Sequence, residues 1–222
     1  MHTIEARYQA KEHLRRANFR PLPGTKPHLF TRDEATAFLD RAKKAEAIAY
    51  LLQRCLAYPD PPDSHWSADT VSAYCHYRFQ RVITFAQVQK LIQDGHAAEA
   101  DKQFNEILQA QLTDPQAHGR LDRAFYQDFN NGSFEIRPTL DAWKRDSPHS
   151  AFAWAASGYA YVAMAADARG GQYMADTPQS SVESMDKLLA QADTDLQRAL
   201  VLDPRLTPIY SAMINAGALS LG

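Results

Sequence analysis

The sequence has few cysteines, glycines and prolines. Its two cysteines, Cys55 and Cys75, stand twenty residues apart, which matches neither a CxxC metal pair nor the cysteine ladder of small secreted domains. We expect both to be reduced, buried thiols that act as small hydrophobic side chains. Nine glycines and twelve prolines among 222 residues are too few for disordered linkers to dominate, so the chain should fold.

The histidines and basic residues also lack a functional pattern. The eight histidines are scattered, with no HExxH motif, so we expect no metal site and no cofactor. The net charge is −2, and the longest basic stretch, HLRRANFR, is short and interrupted. Because nucleic-acid binding needs a track of Lys and Arg along the phosphates, we expect no nucleic-acid partner.

The N-terminal segment, MHTIEARYQAKEHLRRANFRPLPGTKP, lacks the apolar stretch of a signal peptide. This favours a cytoplasmic protein, and a leader removed before the sequence begins is the alternative. We assign residues 1–30 to a basic arm that is partly helical or flexible. Residues 31–222 form a single predicted helical domain, which we expect to continue beyond residue 222 in the natural protein.

Apolar residues recur at intervals of three and four along the chain, and this period predicts an all-α fold. Thr31 and Glu34 form a capping box that begins a helix running to Leu56. A second long helix is predicted from Trp66 to the turn at Gly95, followed by helices over residues 97–112, 114–129 and 138–146.

The longest uncharged stretch lies between Ser150 and Ala166. It is shorter than the roughly 20 residues that a membrane span needs, and Ala, Ser, Gly and Tyr dominate it. We therefore expect a buried helix and no membrane span. Gly170 and Gly171 follow this helix, which predicts a C-cap and not a phosphate-binding loop.

The same stretch carries a repeat pattern. Four of its residues stand at positions of a first tetratricopeptide helix, with a serine in place of the leucine: Trp154, Ser157, Gly158 and Tyr161. Four later residues match the second helix and its closing proline: Ala192, Leu196, Ala199 and Pro204. Gly158 and Ala192 would let the two helices approach closely, while Trp154, Tyr161 and Leu196 fill the core. The two halves are roughly 22 residues farther apart than in a standard repeat, so we predict a binding loop over Gly170–Ser184.

A weaker copy of the second-helix spacing occurs at Gly95, Ala100, Phe104 and Ile107. Repeats at irregular separation predict a degenerate tetratricopeptide-like array, a right-handed α-solenoid of about 8 to 9 helices.

The block LDAWKRDSPHSAFAWAASGYAYVAMAADARGGQYMADTP, followed by LLAQADTDLQRALVLDP, resembles a bacterial tetratricopeptide-like family of domains of unknown function (DUF four-zero-three-four). Eight residues carry the resemblance: Trp143, Pro148, Ser150, Ala151, Ala168, Arg169, Gly170 and Gly171. It is best over residues 85–210 and implies a helical fold with a long bend. It implies no activity and no functional residues.

Candidate partner-binding residues lie on the predicted concave face and on the long bend. They are Gln89, Phe152, Tyr159, Tyr173, Met174 and Asn215. No basic pair occupies the inward positions, so a bound peptide should offer apolar or aromatic anchors. For each of these residues, packing within the chain itself is the alternative.

No charged residue follows Arg205, and the last segment resembles the first helix of a further repeat. Terminal repeats normally carry a polar outer face. We therefore expect that the natural chain continues, or that this apolar helix packs on a partner or on a second copy in a homodimer.

Together these features predict a soluble, non-catalytic protein–protein interaction module that binds a protein or peptide. An immunity or adaptor protein that binds a secreted bacterial toxin is the alternative. A third reading is an enzyme in which four residues converge near the long bend: Asp167, Arg169, Asp193 and Asp195. Because Asp193 and Asp195 lie on different helix faces, and no nucleophile is paired with a base, we expect no catalysis.

Overall fold

The computed structural model describes residues 30–61, 64–114, 117–172 and 176–221. Within these ranges all regular structure is helical, which confirms the all-α prediction. The helices are α1 Arg32–Glu46, α2 Leu51–Leu56, α3 Ala68–Phe79, α4 Phe85–Gln93, α5 Ala97–Thr113, α6 Arg120–Asp128, α7 Arg137–Asp146, α8 Ala151–Arg169, α9 Gln179–Leu202 and α10 Thr207–Leu221, with a 3-10 turn over Phe134–Ile136. The chain divides into two compact units, Met1–Ala68 and Asp69–Gly222. The boundary falls inside the single domain predicted over residues 31–222.

Helix α1 begins at the predicted capping box. The Glu34 backbone N–H donates to Thr31 Oγ1 at 3.2 Å, and the Thr31 N–H donates to Glu34 Oε2 at 2.8 Å. The continuous helix predicted to reach Leu56 is wrong, because α1 ends at Glu46 and α2 begins at Leu51. The side chain of Arg54 donates to the Ile48 carbonyl at 2.8 Å, so it satisfies a backbone acceptor in the break.

The continuous helix predicted from Trp66 to Gly95 is also wrong, because α3 and α4 are separate. A second capping box begins α4, in which Thr84 Oγ1 accepts from the Gln87 N–H at 3.3 Å and the Thr84 N–H donates to Gln87 Oε1 at 2.9 Å. The Asp128 carboxylate accepts from the Phe85 N–H at 2.7 Å. These acceptors satisfy N–H groups at the start of a new helix, and they override the apolar period that runs through the break.

Both cysteines are disulfide-bonded, and neither is a free thiol. The prediction of two reduced thiols is therefore wrong. Cys75 is buried as expected. Spacing along the chain does not report the distance between two side chains in space, and that distance decides whether a disulfide forms.

Helix α8 is the central helix of the Asp69–Gly222 unit. It contacts α5, α7, α9 and α10, and every residue from Ala151 to Ala165 is buried except the half-buried Trp154 and Tyr161. A helix that is apolar on all sides has to be surrounded in this way. In the part of the chain that the structure describes, no helix combines the length and apolar character needed to cross a membrane.

Helices α8 and α9 approach closely at Gly158. A Cβ atom on Gly158 would lie 2.6 Å from Leu196 Cγ and 3.2 Å from the Ala192 carbonyl oxygen, which confirms the predicted role of these small residues. Gly170, with a φ of 78°, ends α8 as predicted. Helix α9 begins at Gln179, so the last six residues of the predicted Gly170–Ser184 loop are helical.

Aromatic side chains fill the core around Phe104 of α5. Its ring centroid lies 5.5 Å from that of Trp143, 5.6 Å from that of Phe152 and 5.8 Å from that of Phe125. The indole N–H of Trp143 donates to Asp101 Oδ1 at 2.9 Å. These contacts join α5 to α6, α7 and α8.

Two glycine variants test the close approach of α8 and α9. We expect Gly158→Ala to lower the free energy of unfolding by about 1–3 kcal/mol, because the added methyl group has to displace Leu196. Gly217→Ala in α10 is the matched control, since its new Cβ meets no atom within 4 Å. This control should raise stability by roughly 0.5–1 kcal/mol through its better helix propensity. Urea unfolding measures both, and equal stabilisation by the two variants would contradict the packing.

Candidate functional site on the last helix

Two of the predicted groove residues lie in the core. Phe152 is 8% exposed, and its ring stacks on that of Phe104. Tyr159 is 6% exposed, and its ring meets that of Phe125 edge-on at a centroid distance of 6.0 Å. Burial raises the pKa of the Tyr159 hydroxyl, and the charge of Asp122 raises it further. Both side chains pack against helices of the same chain. This matches the alternative given for these positions, packing within the chain itself in place of partner binding.

The other predicted residues occupy different surroundings. Gln89 is half-buried in α4 and donates to Thr139 Oγ1 of α7 at 3.4 Å. Asn215 is exposed on α10. Tyr173 and Met174 lie outside the described residues. Of the predicted residues within the described ranges, Asn215 therefore has the most open position.

Asn215 borders an exposed apolar surface, which we call the α10 face. It consists of Tyr210, Ile214, Gly217 and Ala218, which share one side of the helix by their spacing of three and four. Ile214 is 72% exposed and Tyr210 is 43% exposed. No residue from Thr207 to Leu221 is charged. The α10 face is thus an uncharged ridge of large and small apolar groups.

Hydrogen bonds at its first turn hold α10 in place. Thr207 Oγ1 donates to Asp122 Oδ2 at 2.7 Å, and Gln111 Nε2 donates to Thr207 Oγ1 at 3.1 Å. The Gln111 side-chain oxygen accepts from the Leu121 N–H at 2.8 Å. On the opposite side of the helix, Ile209 is fully buried. The α10 face is therefore presented by a helix that is anchored to α5 and α6.

A buried polar network that the sequence analysis missed lies between α7, α8 and α9. Arg137 Nη1 donates to Ser157 Oγ at 2.9 Å, and the Ser157 hydroxyl donates to the carboxylate of Asp195. Lys144 Nζ lies 3.0 Å from Asp195 Oδ2, and Arg137 also pairs with Asp141. Two cations and two carboxylates balance one another here. The sequence carries two signals of this network. One is the serine that replaces the repeat leucine, and the other is the set of opposite charges spaced by four and three along α7.

The two half-buried aromatic residues of α8 cover this network. The guanidinium carbon of Arg137 lies 3.8 Å from the ring centroid of Tyr161, and Lys144 Nζ lies 5.0 Å from that of Trp154. Burial raises the pKa of Tyr161, and the nearby Arg137 acts in the opposite direction. Ser157 is fully buried, and the network joins three helices.

The four residues of the enzyme alternative are not brought together. Asp195 contacts Ser157, whereas Asp167 is exposed ten residues farther along α8, which corresponds to about 15 Å of helix. Asp193 is exposed, and it lies on a different face of α9 from the buried Asp195. Among the described residues, no group of three or more His, Cys, Asp or Glu side chains is arranged to hold a metal ion.

Substitution of Asp195 tests the buried network. We expect Asp195→Asn to lower the free energy of unfolding by about 3 kcal/mol, because it leaves Lys144 partly buried beside an uncharged amide. The matched control is Asp193→Asn, two residues away and exposed, which should change stability by less than about 0.5 kcal/mol. Chemical denaturation at neutral pH measures both. Equal effects at the two positions would show that the network adds nothing.

No family model, curated protein or solved structure matches the chain. The resemblance to a tetratricopeptide-like family stays a prediction from the sequence. Among the predicted interaction surfaces within the described residues, the α10 face has the most exposed apolar side chain, that of Ile214.

Proposed function

We propose that the chain is a non-catalytic protein-interaction module, a degenerate tetratricopeptide-like scaffold that binds a partner protein or peptide through the α10 face. One observation carries the proposal: Ile214 stands 72% exposed on a helix without a single charged residue. The closely packed α8–α9 pair, with Gly158 against Leu196, supports the repeat-like origin of the scaffold.

The energetics favour an apolar partner. A single exposed apolar residue is ordinary on a protein surface, but Tyr210, Ile214 and Ala218 follow one another along one side of the same helix. Contiguous apolar surfaces of this kind are typical of interaction sites. Complete burial of a side chain such as that of Ile214 contributes roughly 1.5–3 kcal/mol to association. A partner with apolar anchors gains this free energy without having to desolvate a charge on α10.

The position of α10 adds affinity and orientation. Its first turn is held by Asp122 and Gln111, so little conformational entropy is lost when a partner binds. Asn215 is exposed beside Ile214, and its side-chain amide offers two N–H donors and one carbonyl acceptor at the border of the apolar face. A polar border around an apolar centre is the usual arrangement of a specific interface.

A second copy of the chain is one form that this partner can take. An apolar ridge on a helix can pack on itself across a two-fold axis, which generates a symmetric dimer. The mass of the purified chain in solution distinguishes a second copy from a different partner protein, because a homodimer forms without any other protein and dissociates on dilution.

Charge introduced into the α10 face tests the proposal. We expect Ile214→Glu to weaken partner binding at least about tenfold, since it places a charge at the centre of an apolar contact. Phe134→Glu is the matched control, because Phe134 is also strongly exposed, at 63%, but lies in the 3-10 turn before α7. The measurements are affinity capture from cells that make the protein, followed by titration with the purified partner, and light scattering of the chain alone.

The two variants should fold equally well, since both positions are exposed, and circular dichroism checks this. The proposal requires that Ile214→Glu lose the partner or the dimer and that Phe134→Glu keep it. It fails if both variants bind like the unchanged chain, or if the chain remains monomeric and captures nothing.

A further inference from the structure

A second surface of the Asp69–Gly222 unit has a different chemistry. A cleft of about 430 Å³ opens between the α3–α4 connection and α6. We call it the arginine cleft, and its lining residues are Arg78, Phe79, Gln80, Val82, Thr84, Arg123, Gln127 and Asp128. It does not include any residue of the α10 face.

The two guanidinium groups of the cleft have no carboxylate partner. Arg78 donates to the hydroxyl of Tyr74 at 2.9 Å, and Arg123 lies over the ring of Tyr77 at 5.8 Å. Neither forms an ion pair with any described residue. Arg123 is half-buried and Arg78 is exposed, and a partly buried arginine such as Arg123 is usually paired with an anion. Two guanidinium groups in one cleft thus leave positive charge available.

Buried donors in the cleft are also unsatisfied. Gln80 Nε2 and Arg123 Nε are both inaccessible to solvent and make no hydrogen bond. Beside the cleft, Arg120 Nη2 donates to the Arg81 carbonyl at 3.0 Å, while its Nε is likewise buried without a partner. Native structures seldom leave such groups without an acceptor.

The fold holds these groups in position. Tyr77 of α3 packs on Gly119, where an added Cβ would lie 2.6 Å from the Tyr77 ring. Gly119 has a φ of +72°, which favours glycine and lets α6 begin directly beneath the ring. Arg120 and Arg123 are three residues apart on α6 and therefore face the same side of it. The contact at Gly119 keeps α3 and its arginine against the first turn of α6.

Asp128 is the one carboxylate among the residues that line the cleft. It accepts from the Phe85 N–H at 2.7 Å, and burial raises its pKa. Against it stand Arg78 and Arg123, whereas Arg120 lines a separate cleft that also contains Glu99 and Glu106. The two guanidinium groups exceed the charge of this one carboxylate, so the cleft carries a net positive charge that an anion would neutralise.

We propose that the arginine cleft binds a phosphate group. The oxygens of the phosphate accept from the guanidinium groups of Arg78 and Arg123, which suit it through paired N–H donors. The cleft is larger than phosphate alone requires, so it has room for the group that carries the phosphate. The carrier is either a small phosphorylated molecule or a phosphorylated side chain of a peptide.

Calorimetric titration of the full chain tests the cleft, with inorganic phosphate, phenyl phosphate, a phosphoserine peptide and acetate as probes. We expect the three phosphates to bind and acetate to bind at least tenfold more weakly. Arg123→Gln should weaken phosphate binding about tenfold, the usual loss for one charge-assisted pair of hydrogen bonds. Arg198→Gln is the control of equal charge change, since Arg198 is exposed on α9, and it should leave binding unchanged. Tighter binding of phenyl phosphate or of the peptide identifies the carrier.

Two more variants keep the result decisive. Arg78→Gln alters an exposed side chain that donates a hydrogen bond to Tyr74, so it reports on the cleft even if Arg123→Gln fails to fold. Asp128→Asn removes the opposing carboxylate and should tighten phosphate binding several-fold. The proposal is overturned if phosphate does not bind at millimolar concentration, if acetate binds as well as phosphate, or if Arg78→Gln and Arg198→Gln weaken binding equally.

Discussion

Gly158 places no side chain of its own between α8 and α9, so the Leu196 side chain and the Ala192 carbonyl of α9 lie directly against the α8 backbone. This contact brings Ser157 of α8 within hydrogen-bonding reach of Asp195 of α9. Asp195 then pairs with Lys144 and thereby ties α7 to the same pair of helices. A bulkier residue at position 158 would separate α8 from α9 and remove the carboxylate from both of its partners. The polar network therefore depends on an apolar close contact.

The network and the aromatic core divide the sides of α8 between them. Ser157, Trp154 and Tyr161 meet the charged groups of α7 and α9, whereas Phe152 and Tyr159 meet the aromatic rings around Phe104 and Phe125. Buried ionic groups contribute little net stability when compared with apolar packing, but they are costly when mispaired. The charged side therefore favours one arrangement of α7 relative to α8 and α9 over others that would bury as much apolar surface.

The sequence predicted local features of this fold better than long-range ones. Apolar spacing identified α5, α7 and α8, and the capping residue Thr31 and Gly170 mark helix ends as predicted. The same spacing failed at Thr84, because side-chain acceptors that satisfy three backbone N–H groups there can interrupt an unbroken apolar stripe. Spacing placed Phe152 and Tyr159 on a predicted concave binding face, but it could not show that Phe104 and Phe125 would cover them. The ion pair between Lys144 and Asp195 joins residues 51 positions apart, and no pattern within one helix reports it.

Helix α8 also determines how the Asp69–Gly222 unit can change in length. In stacked repeat proteins each repeat contacts only its neighbours, so an array grows or shrinks by whole helix pairs while the rest stays folded. Here one helix contacts α5, α7, α9 and α10, and deletion of any of these would open its apolar surface to water. The unit is therefore a cooperative whole, from which no internal helix pair can be excised.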